Sequence, residues 1–179
     1  MNPLLSFISN DSNLLNFNVY FQTIKARTDL IKIELELEHK LQQRVQLRNV
    51  SLGDDVDYHL LKTMIITNSI DSQLLRSRLC HLHIELHSVS KRLKDKSETL
   101  RKYLFVEHRA QLEALGLKTQ ADKNYLIESC FLECSMFITE VDALRESLVF
   151  FIEDLDKNLW TLKNLVSVLE LTFKNKVGL

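Results

Sequence analysis

The chain has 179 residues, enough for one domain spanning residues 1–179, and nothing in its composition marks a second. Its 23 Lys and Arg against 24 Asp and Glu give a formal net charge of -1, which excludes a whole-chain electrostatic case for nucleic acid and leaves only local patches to make one. With 3 Gly and 1 Pro, the turns that compact β folds need roughly every ten residues are missing, so the expected class is all-α: an elongated helical bundle or coiled coil of three or more long helices.

The first helix is expected after the polar Asn10–Asp11–Ser12 cluster, from about residue 12 to about residue 49. Phe17, Phe21, Ile24, Ile31 and Leu35 mark its apolar face, interrupted by Thr28. Residues 30–38, LIKIELELE, alternate with the period of a strand, but no turn residues flank them and helix formers continue through Leu47, so helix is the reading. Ser51–Leu52–Gly53–Asp54–Asp55 is the clearest loop, with Gly for a helix end and Asp for the next cap.

A second helical region is expected from about residue 57 to about residue 115. Its seam is Leu61, Ile65, Asn68, Ser72, Leu75, Leu79, Leu82, Leu86, Val89, Leu93, Lys96, Leu100 and Tyr103. Asn68, Ser72 and Lys96 weaken its ends and mark residues 67–72 and 95–97 as places for a bend or break. Gly116 then supplies a C-cap signal, Thr119 an N-cap and Asp122 its capping-box-like partner.

The last helix is expected from about residue 120 to about residue 174. It holds the most regular pattern in the chain: Phe137, Val141, Leu144, Leu148, Phe151, Leu155, Asn158, Leu162, Leu165, Leu169 and Thr172 recur at alternating steps of four and three. Ile138, Val149, Ile152, Leu159, Val166 and Phe173 form a second row one residue on. Two adjacent rows exceed what a two-stranded zipper needs, so this helix is expected to touch at least two neighbours and to drive homo-oligomer assembly.

No phosphate-cradling glycine loop, nucleophile elbow or HExxH pair occurs, and the Glu-x-x-His repeats of helical carboxylate metal sites are missing; neither enzyme activity nor a cofactor is expected. Cys80, His83 and His87 share a helical face that zinc uses elsewhere, with His81 beside them. Those positions flank the Leu79–Leu82–Leu86 seam, where polar groups normally face water, so a metal is not the favoured reading. Cys130 and Cys134 fall where the final heptad extrapolates backward, which suits small buried thiols. An odd number of cysteines, a first segment without the charged and apolar regions of a signal peptide, and no apolar run near the ~20 residues of a membrane span point to a reducing, cytoplasmic setting without a membrane partner.

Two basic stretches stand out. Lys40, Arg44 and Arg48 lie four residues apart on one helical stripe with no nearby acid after Glu38, a pattern able to track a phosphate backbone. The plainer alternative, a solvated helix flank, stands beside it. Lys91, Arg92, Lys94, Lys96, Arg101 and Lys102 form the second stretch, diluted by Asp95 and Glu98 as in ordinary helix-surface pairing, with Tyr103 and Phe105 following.

The segments LKTQADKNYLIES (117–129) and FFIEDLDKNLWTLKNLVSVLELTF (150–173) resemble the UvsY-type recombination mediators of tailed phages. Trp160, Leu162, Lys163, Asn164, Val168 and Phe173 stand in that family's aromatic–apolar–Lys–Asn pattern, and QQRVQLRNVSLGDD (42–55) is similar to its basic helix end before a glycine loop. The chain departs from the pattern at Asn158–Leu159, where the family often has Arg, and at Leu47 and Val50, which replace aromatics; residues 57–115 have no counterpart. The resemblance implies a ring-like helical oligomer that binds single-stranded DNA without sequence preference. It further implies a protein that helps load a recombinase onto strands covered by single-strand-binding protein, with Arg44 and Arg48 on the DNA. A helical scaffold or adaptor binding other proteins through coiled-coil faces is the alternative that the residues leave open.

Overall fold

The structure, a computed structural model, describes residues 6–30, 32–34, 36–37, 39 and 58–177. All regular elements among the described residues are helices, as expected for an all-α chain: α1 (Ser6–Ser9), α2 (Ser12–Arg27), α3 (Tyr58–Glu107), α4 (Arg109–Ala114), α5 (Gln120–Ser129) and α6 (Leu132–Val177). The chain divides into two compact units, one of residues Met1–Lys32 and Leu86–Leu144, the other of Ile33–Glu85 and Arg145–Leu179.

Local chemistry sets the ends of these helices. Asp11, in extended conformation, caps α2 by accepting from the backbone N–H of Asn13 at 2.8 Å and of Leu14 at 3.2 Å. The first long helix expected from the sequence instead stops at Arg27. Thr28 leaves helical geometry, and Asp29 accepts from Lys32 N–H at 3.1 Å, so a β-branched residue followed by a capping carboxylate separates α2 from the helical residues beyond it. The alternating stretch is helical wherever it is described, at residues 30, 32–34, 36–37 and 39.

α3 runs without interruption through residues 67–72 and 95–97, where weak seam residues had marked a possible break. It ends earlier than expected, at Glu107, and His108 separates it from α4. Gly116 has φ of 81°, the left-handed conformation of a helix end, and Thr119 caps α5 by accepting from Asp122 N–H at 3.1 Å. The expected last helix is divided at Cys130–Phe131. There the N–H groups of both residues reach back three positions, to Ile127 and Glu128, and Phe131 turns fully into the core.

In the first unit, α2 sends Phe17 onto Phe131 (centroids 5.5 Å apart) and, one turn further along α2, Phe21 onto Phe137 (5.8 Å). Leu86, Leu93, Leu100 and Leu104 of α3 are buried there with Val141 and Leu144 of α6. Lys94 binds Asp142 and Arg101 binds Ser135, steps of seven in opposite directions, so α3 and α6 are antiparallel in whole-heptad register. In the second unit Arg76 clasps Asp156 through two nitrogens and Lys62 binds Glu170 at 2.9 Å, again antiparallel, with steps of fourteen. Leu37, Ile65, Leu79, Leu148 and Leu155 are among its buried apolar residues, with the buried Ser72.

One feature of α3 departs from the regular seam. Every seventh residue from Ile65 to Leu100 is buried, as the heptad requires, but between them after Leu86 the buried positions are Ser90, Ser97 and Leu104. Val89 is half-buried, and Lys96 and Tyr103 face the surface. Each is one residue off the position that the heptad assigned. Two serines with almost no exposure leave room for a third helix, and Ser97 satisfies its hydroxyl by donating to Lys94 O at 3.0 Å.

Candidate assembly face and nucleic-acid interface

Lys40, Arg44 and Arg48 lie outside the described residues. The second basic stretch is on α3 in the first unit, and three of its six cations have carboxylate partners among the described residues. Lys94 pairs with Asp142 at 2.6 Å, Arg101 with Glu128 at 3.1 Å and Lys102 with Glu98 at 2.7 Å; the Lys102 bond holds the Glu98 carboxyl below its usual range. Arg101 also lies over the Phe131 ring, 4.9 Å from its centroid. Lys91, Arg92 and Lys96 have no carboxylate partner among the described residues. Arg92 donates to Ser88 O, and Lys96 sits 3.9 Å over the Tyr20 ring.

The residues expected to form the assembly seam divide into two groups. Phe137, Val141, Leu144, Leu148 and Leu155 are buried within the single chain, Leu155 to 1% exposure, so they build the fold itself. Phe151, Leu162 and Leu169 are half-buried and Leu165 is exposed. The end of α6 also exposes apolar side chains that the seam did not include: Trp160 at 68%, with Val168 and Leu171. Trp160, Ser167 and Leu171 follow at steps of seven and four, and Asn164 and Val168 fall between them. Trp160, Ser167 and Leu171 each lie two residues beyond a seam position, in neither of the rows read from the sequence, so the heptad count gave no signal for such a face.

Among the described residues no group of three His, Cys, Asp or Glu is arranged to hold a metal ion, so Cys80, His83 and His87 are not brought together as ligands. His81 pairs instead with Glu85 at 3.2 Å. All three cysteines are free; Cys134 is buried and Cys130 half-buried. Burial pushes the Cys134 thiol up to about 11 and raises that of Cys130. No helix among the described residues is long and apolar enough to cross a membrane.

Two polar groups escaped the sequence reading. His108, at the break between α3 and α4, places Nε2 3.0 Å from Asp11 Oδ2, with side-chain exposures of only 10% and 8%, and Phe7 lies against its ring. Lys123 is buried and binds Glu113 at 2.8 Å, tying α5 to α4. Neither has a local sequence signal, since each partner is set by tertiary packing. Comparison with known proteins finds no family model, no curated protein and no solved structure that matches the chain.

Proposed function

We propose that the protein is a non-enzymatic, homo-oligomeric coiled-coil protein of the cytoplasm that binds single-stranded DNA and helps load a recombinase onto strands held by single-strand-binding protein. The observation that carries the assembly part is the set of apolar side chains left exposed at the end of α6, Trp160, Val168 and Leu171. The UvsY-type resemblance of residues 117–129 and 150–173 supports the mediator role. The four-residue spacing of Lys40, Arg44 and Arg48 supports phosphate contact along one stripe. The functional test is a loading assay: on a strand precoated with single-strand-binding protein, adding this chain is expected to raise recombinase occupancy. Occupancy that stays at the level of recombinase alone contradicts the reading.

A second reading has an observation of its own. The ion pairs of Lys94, Arg101 and Lys102 leave much of the second basic stretch neutralised, which favours a helical adaptor that binds other proteins through its apolar faces. An adaptor shows no salt-dependent affinity for DNA, because no counterions are released.

A further inference from the structure

The displaced seam of α3 opens a groove in the first unit, with a volume of about 570 Å³. Asn13, Asn16 and Tyr20 of α2 form one wall, and Lys96, Thr99 and Tyr103 of α3 form the other. Each trio has the spacing i, i+3, i+7, so each lies along one face of its helix. We propose that this groove is a stacking subsite for single-stranded nucleic acid, with a base against Tyr103 and the adjoining phosphate at Lys96; the proposal rests on the single-strand-binding reading above.

The chemistry of the walls selects this ligand class. Tyr20 already has a cation over its ring, since Lys96 Nζ is 3.9 Å from the centroid. Tyr103 is 38% exposed and has no ring partner among the described residues, so its face is open to a planar ligand. The Lys96 ammonium has no carboxylate partner among the described residues, so it is the groove's cation for an anionic oxygen. Among the described residues, Asp95 is the one acidic side chain of the groove's lining and Lys96 the one basic one, so the ligand's anionic oxygen is placed by Lys96 and not by an excess of positive charge. The side-chain amides of Asn13 and Asn16 have no hydrogen-bond partner among the described residues and offer donors and acceptors to a base edge. A purely apolar helix in this groove would take Lys96 and both amides out of water without replacing their hydrogen bonds, which is costly. A nucleotide supplies a partner for each: a π face, an anionic oxygen and a polar edge.

The test compares two fluorescent strands of equal length, oligo-dT and the same backbone with abasic sites, against the full chain and its variants. Helical content is checked by circular dichroism. Wild-type protein is expected to prefer oligo-dT, and Tyr103→Ala to weaken oligo-dT binding about tenfold and to erase the preference, whereas Tyr103→Phe keeps it. Lys96→Gln is expected to lower the slope of log affinity against log salt by about 0.7, one phosphate contact on a single strand. Salt-sensitive binding that ignores the bases and is unchanged by Tyr103→Ala overturns the groove and leaves the single-strand-binding reading standing. A wild-type chain that binds neither strand overturns both.

Discussion

Asp11 works at three bonds at once. Burial acts to raise its pKa, but the His108 hydrogen bond, the N–H groups of Asn13 and Leu14 and the His108 charge outweigh that and hold the carboxyl below its ordinary value. A depressed folded pKa contributes stability that is present above the unfolded value, about 4, and is lost as pH falls through the folded one. Asp11→Ala removes the α2 cap and leaves His108 Nε2 buried without its partner. It is expected to lower urea stability by about 1–3 kcal/mol at neutral pH, while Asp11→Asn, which still caps, loses less. Equal stability of Asp11→Ala and wild type contradicts this. The sign is opposite at Cys134. Its thiol is raised to about 11, so the buried protonated form contributes stability below about pH 9 that is lost as pH rises toward 11. In the folded protein Cys134 is expected to resist alkylation at pH 8 until denaturant is added; rapid labelling under native conditions contradicts its burial.

The elements show which parts of the fold were legible in the sequence. Helix class, the Gly116 end and the Thr119 cap followed from local chemistry, and local chemistry decides them. The breaks at Thr28–Asp29 and Cys130–Phe131 did not follow, because a heptad count passes through a residue such as Phe131 without registering that it must turn inward to meet Phe17. The seam of α3 shifted for a related reason: periodicity assumes one partner, and α2, whose Phe17 and Tyr20 line a groove with Lys96 and Leu100, supplies another. Ser97→Leu is expected to overpack that approach and to cost about 1–3 kcal/mol in thermal or urea unfolding. In α6, burial separates what was read as one seam. Leu155→Asp is expected to reduce helical content by putting an unpaired charge in the core, whereas Trp160→Asp and Val168→Asp leave helicity intact and lower the mass seen by light scattering. An unchanged mass in both exposed variants contradicts the assembly face.

At the scale of the whole molecule, a net charge of -1 leaves no long-range field to draw in DNA, so the proposed binding rests on local cations. Lys94, Arg101 and Lys102 are engaged by carboxylates, so in the proposed reading phosphate contact falls to Lys40, Arg44 and Arg48, with Lys91, Arg92 and Lys96 in support. None of this could be judged from the heptads, since ion pairing across α3 and α6 is a property of register and not of composition. Anisotropy of a fluorescent oligo-dT strand, titrated with the full chain at rising salt, goes directly to the question of single-strand binding. The expected result is binding that weakens steeply with salt, with a shallower slope when Lys40, Arg44 and Arg48 are all replaced by Ala. Absence of binding at low salt, from protein shown to be folded and oligomeric, would contradict the mediator reading and leave the adaptor.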